Sequence, residues 1–264
     1  MNTGNGLIEL LGQVKRQLTD GREIGLDPPF ISTESQDFLS RGFRFETPVN
    51  TAESQDFPRK DVTSETNKLK KQTDFKSLKE LELFIGNCNR CKLSKGRKNI
   101  VFGEGPVDAR LVFVGEAPGA DEDLSGKPFV GRAGKLLTGI INAMGLTRDD
   151  VYICNIAKCH PPDNRDPEID EIKTCIPFLR SQISLIKPEV ICSLGRVSAQ
   201  NLIKKDFKIT RERGHWYKFL DIPLMPTFHP AYLLRSPEHK REVWEDIKKI
   251  MKKLGLKDPR KEEK

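Results

Sequence analysis

The chain has 264 residues, of which 36% are hydrophobic, a low fraction for a chain that folds along its whole length. Lysine and arginine outnumber aspartate and glutamate by 45 to 38, and the resulting net charge of +7 is typical of proteins that meet phosphates. No apolar run is long enough to span a membrane, and residues 1–11 lack the basic start of a secretory signal. From these features we expect a soluble, cytoplasmic protein rather than a membrane-spanning or secreted one.

Residues 1–75 are predicted to form an N-terminal extension without a core of their own. One short amphipathic helix fits residues 7–18, and the polar stretch from 27 to 73 has the composition of a disordered linker. The linker contains the phrase Glu-Ser-Gln-Asp-Phe twice, at 34–38 and 53–57. A single pair of copies cannot build a repeat fold, so we favour an accident of composition over a duplicated docking motif.

From Ser77 onward, short apolar runs alternate with helical patterns, which predicts a domain over residues 76–256 and a charged tail at 257–264. The predicted strands are Leu111–Val114, Val151–Cys154, Val190–Cys192 and, more weakly, Pro223–Phe228. The predicted helices are Leu78–Ile85, Ala133–Met144, Pro167–Ile186, Ser198–Lys204 and Pro237–Leu254. The βαβα order predicts an α/β fold with a mostly parallel, four-stranded central sheet.

Ligands of such sheets bind beyond the carboxyl ends of the strands, and three motif segments lie there. The first runs from Gly115 through an acidic loop to Gly134, and it matches neither phosphate-binding glycine pattern. Within it, Phe129 is either an ordinary core residue or a platform on which a nucleic-acid base stacks.

The second and third segments contain an asparagine, with its side-chain amide, and a histidine, with its imidazole. Asn155 ends the second strand, and its side chain either caps the turn or reads a base edge that offers both a donor and an acceptor. His229 follows the fourth strand and precedes Pro230. It is either a plain structural histidine or a donor to an oxygen that gains negative charge as a leaving group departs.

The six cysteines include a CxxC motif, and no export signal is apparent, so they predict a metal or cluster site in a reducing compartment rather than disulfides. We expect the ligands to be Cys88, Cys91, Cys175 and Cys192. Both zinc and a [4Fe–4S] cluster accept four cysteines, so both stay open at this point. Cys154 and Cys159 are interpreted as ordinary buried thiols, although Cys159 could substitute as a ligand.

Together these segments resemble the family 4 uracil-DNA glycosylases, the iron-sulfur branch of the uracil-DNA glycosylase superfamily. The resemblance runs from about Leu78 to Leu254. It rests on the four cysteines and on GEAPGADED at 115–123, GKPFVGRAGKLL at 126–137, NIAKCHPPDNRDP at 155–167 and HPAYLLR at 229–235. It implies a three-layer α/β/α fold, a [4Fe–4S] cluster with zinc as the alternative, and a monofunctional glycosylase that removes uracil from DNA in base excision repair.

The resemblance also implies roles for individual residues. It makes Phe129 the stacking platform for a flipped uracil, Asn155 the reader of its polar edge and His229 the group that stabilises uracil O2. Glu116 and Glu122 become candidates for shaping the pocket and positioning water.

The backbone at Ala117 would line the pocket floor. The better-known branch of the superfamily has an aspartate base at this position, and this chain has none. The enzyme then gains more by stabilising the departing uracil anion than by a strong base.

The remaining implications concern partners. The segment Tyr232, Leu233, Leu234 and Arg235 would contact DNA as a wedge and phosphate clamp. The substrate would be uracil-containing DNA, single- or double-stranded, met by a monomer that is nucleoid-associated in a prokaryote. A protein partner for the N-terminal extension stays open. The alternative function is a non-catalytic iron-sulfur module that binds DNA damage.

Overall fold

Five strands form one sheet at the centre of the computed structural model, which describes residues 75–258. They are β1 Leu111–Gly115, β2 Tyr152–Asn155, β3 Val190–Leu194, β4 Tyr217–Phe219 and β5 Ile222–Thr227. Their order across the sheet is β2-β1-β3-β5-β4, and every neighbouring pair is parallel except β4 with β5. The expected α/β fold with a mostly parallel sheet is therefore confirmed.

The predicted count of four strands was one short, because β4 was missed. This strand has only three residues and lies at the sheet edge. It turns into β5 through Leu220 and Asp221, which both have positive φ, 50° and 63°. Such a turn normally uses Asn-Gly or Asp-Gly, so the sequence carried no hairpin signal here.

Helices cover both faces of the sheet. They are α1 Leu78–Ile85, α2 Ala120–Ser125, α3 Arg132–Ala143, α4 Ile169–Ile186, α5 Gly195–Leu202, α6 Ile209–Glu212, α7 Pro230–Arg235 and α8 Lys240–Leu254. α1, α4 and α5 share one buried cluster with the strands, and α3, α7 and α8 share the other. The arrangement is the expected three-layer sandwich.

The side chains of β1 alternate between the two faces of the sheet, and this explains why the strand is apolar along its whole length. Val112 and Val114 point into the cluster on the α4 face, whereas Leu111 and Phe113 point into the cluster on the α8 face. Every residue of the strand is buried. Since both faces are covered by helices, both sets of side chains must be apolar.

The predicted helices occur with small shifts at their ends. α1 has the predicted bounds, and its first turn is capped by the Ser77 side chain, which accepts the Glu80 N–H. α5 begins at Gly195, directly after β3, and Gly195 has a φ of 88°, which L side chains rarely adopt. α8 begins at Lys240, after the separate 3₁₀ turn Pro237–His239.

The helix predicted over residues 7–18, the linker with its repeated phrase and most of the charged tail lie outside the described residues. None of the helices between residues 75 and 258 is long and apolar enough to cross a membrane.

Candidate active site and cysteine site

A pocket of about 610 Å³ opens at the edge of the sheet where the parallel strands end. β1 and β3 are neighbours in the sheet, but the connection after β1 runs to β2 on one side, whereas the connection after β3 runs toward β4 and β5 on the other. Ligands of open α/β sheets bind at such a switch point. The pocket is lined by residues that follow β1, β2, β3 and β5, including Glu116, Ala117, Glu122, Phe129, Asn155, Gly195, His229, Tyr232 and Arg235. Residues from all three predicted motif segments therefore meet in one place.

Asn155 lies at the bottom of this pocket with only 1% of its surface exposed. Among the residues that the structure describes, its Oδ1 is the one buried side-chain oxygen or nitrogen without a hydrogen-bond partner. A Cβ on Gly115 would lie 2.3 Å from that oxygen, so glycine is needed for the close approach. A buried acceptor without a partner costs free energy, and here it belongs to a residue that lines a cavity that a ligand can enter.

Phe129 forms a wall of the same pocket. Its ring centroid lies 5.6 Å from that of His229, at an interplanar angle of 34°. The loop that carries it is tied to α2 by Glu122, whose Oε1 accepts the N–H groups of Val130 and Gly131 at 2.9 and 3.0 Å. Glu122 Oε2 accepts the Gly119 N–H at 3.0 Å. Glu122 thus shapes the pocket through backbone contacts.

His229 is the residue that caps α7. Its Nδ1 accepts the N–H of Ala231 at 3.1 Å, so in the neutral ring Nε2 carries the proton. Burial, helped by the nearby charge of Arg235, lowers the pKa of His229 to about 4. At neutral pH the side chain is an uncharged donor directed by its own helix.

Glu116 follows β1 and lines the pocket. Burial and the neighbouring carboxylate of Asp166 raise its pKa to about 7, while Arg196 opposes the shift. Arg196 is itself paired with Asp166. The site therefore holds a carboxyl group that titrates near neutral pH.

The four residues predicted to contact DNA separate into two groups. Tyr232 and Arg235 line the pocket, and the side chain of Leu234 is 37% exposed beside them. Leu233 is 1% exposed and packs in the core against α3 and α8, which corrects its assignment to the DNA-contacting surface. One helical turn cannot direct two adjacent leucines to the same side.

The cysteines gather in a second pocket, and the set differs from the predicted one. Cys88, Cys91, Cys159 and Cys175 line it, and all four are free thiols. Cys192 is fully buried on β3, and its side chain belongs to the cluster on the α8 face, across the sheet from the CxxC segment. The structure thus excludes Cys192 from the thiol group and brings Cys159 into it.

Two N–H donors lie close to these thiols. The Lys158 N–H donates to Cys175 Sγ at 3.3 Å, and Arg97 donates to Cys159 Sγ at 3.6 Å. Burial raises the pKa of Cys175 to about 11 and that of Cys159 to about 12, so bare thiols would stay protonated here. Within residues 75–258 no three histidine, cysteine or acidic side chains converge on a single ion position.

Sequence reasoning gave no role to one ion pair of the site, and it named Cys159 only as a possible substitute ligand. Asp166 and Arg196 join the pocket wall through their ion pair; Asp166 lies within the motif at 155–167 but received no role there, and no local pattern marked Arg196. Cys159 carried a signal that could have found it, because it follows β2 by four residues and Asn155 ends that strand. The sequence analysis nevertheless predicted Cys192, which lies within β3, as the fourth ligand.

Comparisons with known proteins point to one family. The sequence model of the uracil DNA glycosylase superfamily matches residues 102–248. The type-4 uracil-DNA glycosylase of Saccharolobus solfataricus is 48% identical over 182 residues, which cover 66% of this chain and 84% of that protein. The type-4 uracil-DNA glycosylase of Thermotoga maritima is 48% identical over 65% of this chain and 93% of its own length. The type-5 uracil-DNA glycosylase of Pyrobaculum aerophilum is 31% identical over 49% of this chain and 64% of that protein.

Proposed function

The chain belongs to the uracil-DNA glycosylase superfamily and to its type-4 branch, and from that premise we propose how its pocket works. The protein is a monofunctional uracil-DNA glycosylase, a hydrolase of DNA repair. We assign its activity to the unit over residues 76–256. The substrate nucleotide is extruded from DNA, its N-glycosidic bond is hydrolysed in the pocket, and an abasic site remains.

The unpaired Oδ1 of Asn155 is the observation that carries this proposal. Uracil offers N3–H as a donor beside O4 as an acceptor, and an asparagine amide matches both with Oδ1 and Nδ2. Cytosine has no hydrogen on N3 and bears an amino group at C4, so it would leave Asn155 Oδ1 facing a lone pair. Buried groups left unpaired in this way give strong discrimination between substrates.

His229 supplies the stabilisation of the leaving group. As the bond breaks, the sugar becomes cationic and the uracil anionic, with much of the negative charge on O2. The Nε2–H of the neutral ring donates to that oxygen. A donor fixed in advance contributes about 3 to 4 kcal/mol, or two to three decades in rate. The hydrogen bond from Ala231 to Nδ1 supports this role, because it fixes the tautomer.

Phe129 stacks on the uracil ring, and Glu122 holds the loop in place for it. Glu116 positions the attacking water at the pocket wall, where its carboxylate also faces the cationic sugar. Expulsion of a base from the helix costs a few kcal/mol and less at a mismatch. The exposed Leu234 fills the vacated space, while Tyr232 and Arg235 contact the strand beside it.

We further propose that Cys88, Cys91, Cys159 and Cys175 hold a [4Fe–4S] cluster, with structural zinc as the alternative. Four free thiols from three separate chain segments around one pocket support a tetrathiolate group. When bound, the group cross-links the CxxC segment to the residues after β2 and to α4. The hydrolysis itself is carried out by the residues of the first pocket. We expect the protein to act as a monomer.

The test is release of uracil from a labelled oligonucleotide with one uracil, followed by alkali cleavage. Asn155→Ala and His229→Ala are expected to reduce cleavage by two decades or more, because each removes a contact made in the transition state. Asn142→Ala and His215→Ala change exposed residues outside the pocket and serve as matched controls.

A folded, brown wild-type sample that leaves the oligonucleotide intact would overturn the proposal. Tight binding of uracil-containing DNA without release would then favour the damage-binding module. Full activity in both pocket variants would contradict the roles of Asn155 and His229 but not the glycosylase activity of the protein.

A further inference from the structure

The stacking platform is held in a backbone conformation that it would not adopt alone. Phe129 has a φ of 52°, in the left-handed region that bulky L residues rarely enter. Such strain persists only where the surrounding structure enforces it, and it is concentrated at functional sites. The contacts around residues 128–131 therefore decide where the aromatic ring lies.

Two charged side chains enforce this conformation from opposite sides of the backbone. Glu122 accepts the two N–H groups that follow Phe129. Arg148 donates to the two carbonyls at and before it, through Nη1 to Phe129 O at 3.1 Å and through Nη2 to Pro128 O at 2.8 Å. The backbone N–H groups of residues 130 and 131 and the carbonyls of residues 128 and 129 are therefore all hydrogen-bonded.

Arg148 is itself well anchored. It starts the 3₁₀ turn Arg148–Asp150, where the Asp150 carboxylate accepts both the N–H and the hydroxyl of Thr147 at 2.7 Å. Its Nη2 also lies 3.4 Å from Glu104 Oε2. Glu104 in turn pairs through its backbone with Ile153 of β2. The guanidinium thus connects the loop to the sheet on which Asn155 lies.

We propose that Arg148 is a positioning residue that sets the Phe129 ring over the uracil site before the nucleotide arrives. The inference rests on the proposed function, since it concerns the same pocket. The planar fork of arginine can serve two consecutive carbonyls at once, which a lysine ammonium does less well. Arg148 does not touch the base and acts only through Phe129.

Arg148→Met removes the donors and keeps most of the side-chain volume. We expect kcat/KM for uracil release to fall about ten- to a hundredfold, because small misplacements of a positioning group cost that much. Inhibition by free uracil should weaken in parallel, since the same ring stacks on the product. Arg148→Lys is expected to recover part of both losses.

A double-mutant cycle separates positioning from general support of the fold. In a Phe129→Leu background the stacking ring is gone, so Arg148→Met should change kcat/KM less than about threefold further. Arg110→Met is the matched control. Arg110 also pairs with a glutamate, Glu189, and donates to a backbone carbonyl, that of Leu254, but it precedes β1 at the opposite end of the sheet.

Each outcome decides the matter. A wild type that releases no uracil would contradict the proposed function, independently of Arg148. An active wild type with an equal Arg148→Met loss in both backgrounds, or with an equal loss in Arg110→Met, would overturn the inference. If Arg148→Met fails to fold, Arg148→Lys provides the measurement, and unchanged kcat/KM and uracil inhibition in that folded variant would overturn it as well.

Discussion

His229 and Glu116 have opposite pKa shifts with the same main cause. Burial disfavours the charged form of each, which lowers the pKa of the histidine to about 4 and raises that of the carboxyl to about 7. His229 is therefore neutral near pH 7 and contributes no change of activity there. Of these two groups, Glu116 is the one whose pKa lies near neutral pH.

Glu116→Gln tests this assignment. We expect the kcat/KM of the wild type to rise as pH increases through about 7, because the ionised carboxylate positions water and faces the cationic sugar. The variant should show a flat and lower profile over pH 6–8. Single-turnover release of uracil across this range is the measurement, and a wild-type profile without a step near 7 would contradict the role.

The same shift has a consequence for stability, with the opposite sign. Because the pKa in the folded state lies above the ordinary value of 4.5, the folded protein binds more protons than the unfolded chain between the two values. This contribution is fully present at low pH and is lost as pH rises through about 7. Activity and stability therefore draw on different protonation states of one residue.

At the scale of elements, one buried ion pair ties α8 to the strand that leads to His229. Asp246 on α8 is 1% exposed, and its Oδ2 accepts the hydroxyl of Thr227 at 2.6 Å. The Arg213 guanidinium lies 2.7 Å from the same oxygen and over the ring of Phe228. Helix, strand and the segment before β4 meet at this carboxylate.

Asp246→Ala should cost about 3 kcal/mol of unfolding free energy, because the largely buried Arg213 loses its buried carboxylate partner and keeps only the more exposed Glu242. Chemical denaturation followed by circular dichroism is the measurement. Glu245→Ala on the same helix breaks only the exposed pair with Lys248 and should hardly move the midpoint. Equal effects of the two substitutions would show that the buried pair contributes no more than a surface one.

At the scale of the whole molecule, the cysteine site joins segments that are far apart in sequence. Cys159→Ser should lower the iron content and the absorbance near 400 nm, whereas Cys192→Ser should leave both unchanged. Iron analysis together with the visible spectrum measures this. Loss of iron in Cys192→Ser with retention in Cys159→Ser would restore the original prediction, and a colourless protein that contains zinc would favour the alternative metal.

The sequence determined four of the five strands and the edge of the sheet at which the candidate site residues meet. Helices cover both faces of Leu111–Gly115 and Val190–Leu194, so the residues on both faces of these strands are buried. Both sets are therefore mostly apolar, and each strand appears in the sequence as an apolar run. Once the strands are parallel, their carboxyl ends must share one edge. Asn155 and His229 could therefore be brought together without knowledge of any contact.

Only the tertiary structure decided which side chains face each other across elements. Cys192 and its neighbour Ile191 point to opposite faces of the sheet, and the sequence does not state which face meets the CxxC segment. The sequence likewise does not indicate that Leu233 lies in the core whereas Leu234 is 37% exposed. The contacts of Arg148 with residues 128 and 129 are set by loop geometry. Periodicity reports how deeply a residue is buried, and the partner of a side chain depends on how distant segments pack.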